Sequence, residues 1–129
     1  MTIVAFNHFN LRAPLPLTDA LRDFYVDVVG LQVGWRPPFD FPGYWLYLGD
    51  QAVLHLVGVP GARDDAVARG GTFDHVAFTC TGLAQTEARL REQGVAWRSV
   101  RVPGTQQIQL FLTDPAGNGV ELNFASATA

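Results

Sequence analysis

Phe111-Leu112-Thr113-Asp114-Pro115-Ala116-Gly117-Asn118-Gly119-Val120-Glu121-Leu122 reads as a strand, a turn and a second strand. Asp114 to Gly119 is a cluster of turn-forming residues, and apolar side chains alternate on both sides of it. Ile108, Leu110 and Leu112 share one side of the first strand, within an expected span of Gln106 to Thr113; Val120 and Leu122 share one side of the second, expected over Gly119 to Phe124. Glu121 therefore points away from its apolar neighbours, to a face where a lone carboxylate calls for a partner.

Upstream, Val95 to Val100 is a third strand candidate. Before it, Thr81 is a candidate cap for a helix through Leu83, Ala84, Glu87, Leu90 and Arg91 that stops at Gly94. Thr72 to Cys80 alternates again, so this part of the chain reads βαβββ. The same order precedes it. Thr2 to Arg12 is a strand, and Thr18-Asp19 opens a helix through Ala20, Leu21, Phe24, Tyr25 and Val28 that ends at Gly30. Val33 to Arg36, Gly43 to Gly49 and Ala52 to Val57 are three further strands. The expected organisation is one α+β domain of two modules, about 1–57 and about 72–126, joined by a linker over about 58–71.

Four polar residues obey this repeat. His8 lies 47 positions before His55, and His75 lies 46 before Glu121; a shift of 67 carries His8 onto His75 and one of 66 carries His55 onto Glu121. Each is flanked by apolar residues of the opposite face: Phe9 and Leu11, Leu54 and Leu56, Val76 and Phe78, Val120 and Leu122. If the polar faces curl inward, the four converge, and a divalent cation offsets the cost of placing Glu121 there. Three imidazoles and a carboxylate suit Zn, Ni, Fe, Mn or Co and disfavour calcium. The competing reading has each histidine satisfied by hydrogen bonds and Glu121 paired with Arg12 or Arg101.

The 129 residues are 48% hydrophobic and 16% charged, enough for one autonomous core. Net charge −3 and the lack of any Lys/Arg run argue against nucleic acid. No apolar stretch approaches the roughly 20 residues of a membrane span. The lone Cys80 fits a reducing compartment, so the expected location is cytoplasmic, with no membrane partner.

The chain resembles the vicinal oxygen chelate superfamily, which includes glyoxalase I, extradiol ring-cleaving dioxygenases and bleomycin-resistance proteins. The resemblance is carried by Phe6-Asn7-His8-Phe9-Asn10-Leu11, Phe24-Tyr25-Val26-Asp27-Val28-Val29-Gly30-Leu31, Val53-Leu54-His55-Leu56, Phe73-Asp74-His75-Val76-Ala77-Phe78 and the Phe111–Leu122 segment. It implies two βαβββ modules forming an incomplete eight-stranded barrel around a metal, commonly in homodimers, with His8, His75 and Glu121 at recurrent ligand positions. His55 stands where glyoxalase I-like enzymes carry a carboxylate and many dioxygenases carry no ligand.

His55 therefore divides the possible reactions. Four protein ligands on an octahedral ion leave two positions, enough for a chelating enediolate-type substrate; this favours glyoxalase I-like lyase or isomerase chemistry with Glu121 as base. If His55 stands off as an acid/base, three open positions suit a catecholate and O2 on ferrous iron, the extradiol dioxygenase alternative. A further alternative is a non-catalytic protein that binds a small molecule or antibiotic. Whichever applies, Arg12, Trp45, Tyr47, Gln109 and Phe111 are the candidate substrate-binding residues, because each falls on the polar side of its strand and together they suit a small, partly apolar molecule.

Overall fold

The computed structural model describes residue 1 and residues 5–60, 73 and 75–128. The chain folds as two compact units, Met1–Arg69 and Gly70–Ala129. Each holds one four-stranded mixed sheet with a helix after its first strand, so the βαβββ module occurs twice. The expected linker over 58–71 lies mostly outside the described residues, but Gly58 and Val59 belong to the preceding strand. Among the described residues no helix is long and apolar enough to cross a membrane.

The first unit contains β1 (Phe9–Pro14), α1 (Leu15–Phe24), β2 (Gln32–Gly34), β3 (Gly43–Leu48) and β4 (Gln51–Val59), with strand order β1-β4-β3-β2. β1 runs parallel to β4, and the other pairs are antiparallel. The first strand runs from Phe9 to Pro14, starting and ending later than the expected Thr2–Arg12, so His8 stands one residue before it; residues 2–4 lie outside the described residues. Thr18 does not cap the helix. The helix begins at Leu15, with Pro16 in the first turn, where no amide hydrogen is needed. Thr18 is buried in the helix and donates its hydroxyl back to the carbonyls of Ala13, at 3.0 Å, and Pro14, at 3.1 Å.

A π-helical turn, Tyr25–Val29, extends α1 and ends at Gly30, whose φ of 101° is open to glycine at little cost. Tyr25 is fully buried, with Phe24 and Phe9 edge-on to its ring, and Leu21, Leu46, Leu54 and Leu56 complete the core. β2 is shorter than the expected Val33–Arg36 strand and leaves Trp35 and Arg36 beyond its end. Between Leu46↔Leu54 and Tyr47↔Ala52 the β3–β4 register slips by one, so Val53 has no partner in β3 and both Val53 and Leu54 are buried.

The second unit contains β5 (His75–Cys80), α2 (Leu83–Glu92), β6 (Arg98–Arg101), β7 (Ile108–Thr113) and β8 (Gly119–Phe124), in the order β5-β8-β7-β6. The α2 cap position is Gly82 rather than Thr81, and no side chain caps the helix. β6 is displaced from the expected Val95–Val100 span, and β7 starts at Ile108 rather than Gln106. Ile108, Leu110, Leu112, Val120, Leu122 and Phe124 are buried on one side of the sheet. The Asp114 carboxylate, 4% exposed, organises the turn before β8. It accepts the backbone N–H of Ala116 and of Asn118, and the Asn118 side-chain N–H, each at 2.9 Å. Charge-assisted bonds of this kind explain how a carboxylate is tolerated there.

Candidate metal and substrate site

Two of the four candidate donors belong to each unit. In the first, His8 lies on His55 with ring centroids 3.8 Å apart and 15° between planes, and Trp45 stacks on His55 at 4.0 Å and 6°. The Trp45↔His55 register explains the second contact, since directly paired side chains share a face. His8 is positioned from outside the strand: Gln51 Nε2 donates to the carbonyls of Phe6 and Asn7, and His8 Nδ1 pairs with Asn7 Oδ1 at 2.7 Å. With Nδ1 as donor to that oxygen, the His8 Nε2 lone pair is left for a ligand.

Burial, and then the nearby His8 charge, lower the His55 pKa, against a hydrogen bond with the Ala52 backbone that raises it. Neutral imidazole is thereby favoured, the form that binds metal or accepts a proton.

The second unit presents His75 and Glu121 on neighbouring parallel strands. His75 pairs with Gly119 and Ala77 with Glu121, so the two side chains are diagonal neighbours on one face. Glu121 is half-buried, and its Oε2 accepts Asn123 Nδ2 at 2.8 Å; Asn123 Oδ1 in turn accepts Gln107 Nε2 at 3.0 Å. Among the described residues Glu121 makes no ion pair. Arg101, the rival partner considered for it, pairs in register with Ile108 and so belongs to the other face. Within the described residues no cluster of three or more His, Cys, Asp or Glu side chains capable of holding a metal is found.

The substrate-binding candidates fare differently. Trp45 is integral to the histidine stack, and Trp35 and Phe39 contact its ring at centroid distances of 6.2 and 6.3 Å. The Tyr47 hydroxyl donates to the Trp35 carbonyl at 2.6 Å and its ring covers Gly34, so its visible role is to brace β2. Arg12 pairs in register with Val57 and lines a cavity of about 330 Å³ with Phe41 and Pro60. Phe111 is opposite Glu121, and Gln109 is opposite Asn123. Cys80 is half-buried, and burial raises its thiol pKa.

Sequence reasoning passed over Asn123, although its place two residues after Glu121 on the same face was a readable signal. Arg98 and Gln51 carried no such signal. Their relevance comes from strand register and from a tether to residues 44 and 45 positions away.

The sequence matches the Glyoxalase/Bleomycin resistance protein/Dioxygenase superfamily across residues 5–122. It is 30% identical over 109 residues to Glyoxylase I 4 of Arabidopsis thaliana, an alignment covering 81% of this chain and 62% of that protein, so the chain spans about three fifths of the relative's length. Among solved structures, the glyoxylase/bleomycin resistance protein/dioxygenase domain from Frankia sp. EAN1pec superposes with a TM-score of 0.75 at 19% identity, covering 96% of this chain and 99% of that one. Lactoylglutathione lyase from Agrobacterium tumefaciens gives 0.67 at 21% identity, covering 95% of each chain. At these identities the structural likeness speaks for the fold. With the repeated βαβββ unit and the match along nearly the whole sequence, the chain belongs to the Glyoxalase/Bleomycin resistance protein/Dioxygenase superfamily.

Proposed function

We propose that this chain is a divalent-metal-dependent enzyme acting on a small substrate with two neighbouring oxygens, by glyoxalase I-like lyase or isomerase chemistry. The observation that carries the proposal is the pairing of donors: each βαβββ unit places two of them together, His8 with His55 and His75 beside Glu121. The donor chemistry fits Zn, Ni, Fe, Mn or Co, and His8, His55, His75 and Glu121 are the residues that would hold the ion. When bound, such an ion acts as a Lewis acid towards adjacent substrate oxygens.

The chain's own residues supply the rest. Asn123 donates to Glu121 Oε2, which orients the carboxylate. Oε1 makes no hydrogen bond among the described residues, leaving it to take a proton from substrate. His55, kept neutral by burial, has a lone pair for the ion or for a proton. Trp45 shields the imidazoles from water on one side, Phe111 and Gln109 flank Glu121, and Arg12 is placed for an anionic group. A cytoplasmic homodimer completes the proposal, supported by the single cysteine and by the exposed apolar side chains Val33, Trp35 and Leu48.

Protein purified without an affinity tag should retain about one divalent ion per chain, as expected for a folded His/carboxylate site. His8→Ala and Glu121→Gln should both lower retention, and a metal-free protein with intact fold would refute the proposal. Oxygen consumption by the ferrous form with catechols would redirect the assignment to an extradiol dioxygenase.

The aromatic stack favours a second reading. A column of Trp45, His55 and His8 is also a surface on which a planar molecule can stack without metal. A binding protein of that kind would hold its ligand equally well after metal removal and after His75→Ala.

A further inference from the structure

The β5–β8 sheet carries a charged group that the proposed reaction does not use. Arg98, Phe111, Glu121 and Ala77 form one row across β6, β7, β8 and β5, each paired in register with the next. Side chains of one row share a face, and neighbouring strands are about 4.8 Å apart, so Arg98 is roughly 10 Å from Glu121 at the backbone. Its guanidinium lies over the Phe111 ring at 4.8 Å from the centroid. That contact restrains a long side chain while leaving its N–H donors for an acceptor.

Among the described residues Arg98 has no ion pair or hydrogen bond. The carboxylate in its own row is bonded to Asn123 instead. Beside Arg98 opens a cavity of about 410 Å³, whose lining includes His75, Phe111, Thr113, Gly119 and Val120.

We infer that Arg98 recognises an anion in the second unit's part of this site, and that the substrate carries a carboxylate on a short apolar arm. The inference rests on the proposed role of His75 and Glu121, which would face the substrate's neighbouring oxygens while Arg98 receives the carboxylate. The chemistry selects a carboxylate because one guanidinium fork matches its two oxygens and single charge. Phe111 suits an intervening hydrocarbon segment, and the distance along the row leaves room for it.

Two measurements test this separately from the metal. In metal-free protein, succinate should shift the NMR signals of the Arg98 Nε–H and the Phe111 ring, and R98A should abolish the Phe111 shift; no shift in the wild type overturns the inference. In metal-loaded protein, succinic monohydroxamate should bind about tenfold tighter than acetohydroxamate, the scale of one charge-assisted pair. R98A should remove that preference by weakening the carboxylated ligand alone, and R98K should keep part of it. An undiminished preference in R98A overturns the inference. If the chain takes up no metal, the reaction proposal fails, while the succinate titration still decides whether Arg98 receives a carboxylate.

Discussion

Replacing Trp45 by Ala tests the feature on which the first half of the site depends. Trp45 lies face to face on His55 at 4.0 Å, and His55 lies on His8 at 3.8 Å, so removing the indole takes away one end of a three-ring column. Truncating a fully buried Trp costs about 3–5 kcal/mol. Trp45 is half-buried. About half that loss is therefore expected, about 2 kcal/mol, of which stacking itself supplies about 0.5–1.5 kcal/mol. With a urea m-value of about 2 kcal/mol/M, the unfolding midpoint should fall by about 1 M. The second effect is specific to the stack. Burial is the largest cause of the lowered His55 pKa, so opening its ring to water should raise that pKa towards 6.5. Both effects are read on metal-free protein, by urea denaturation followed by fluorescence and by NMR titration of the three histidines. Phe at position 45 should restore part of each. A midpoint change below about 0.25 M together with an unmoved His55 titration would refute the packing of Trp45 on His55.

The lowered His55 pKa also sets a pH dependence for the metal-free fold. Between the folded pKa and 6.5 the unfolded chain binds a proton that the folded chain refuses, so stability is full above 6.5 and declines as pH falls towards the folded value. Urea midpoints measured from pH 8 to pH 5 should show the decline, and His55→Gln should reduce it. Asn123→Ala removes the donor to Glu121 Oε2, and metal affinity measured by competition with a chelator should weaken about 10-fold or more, with the fold retained by circular dichroism. Leu110→Ala empties a fully buried position in β7 and should cost about 3 kcal/mol in urea denaturation, with the proposed metal ligands untouched.

Strand periodicity made the βαβββ repeat legible because a half-buried strand must alternate, and β8 was expected over the residues it occupies, Gly119–Phe124. Glycine stops were legible for a similar local reason: Gly30 and Gly94 both take positive φ after their helices. Helix starts were less so. Thr18 has the composition of a cap, yet burial against the end of β1 turned its hydroxyl to the Ala13 and Pro14 carbonyls, and the helix opens three residues earlier at Leu15. Local preference lost there to packing.

The sequence by itself determined that His8, His55, His75 and Glu121 stand at matching positions of two repeats, because shifts of 67 and 66 are read from spacing alone. Tertiary structure decided what meets them. The stacking of His8, His55 and Trp45, the hold of Asn123 on Glu121, and the row from Arg98 to Glu121 all depend on which strands are neighbours and in what register. Register is a property of paired strands, set by the fit of two surfaces, and a single strand's pattern does not contain it.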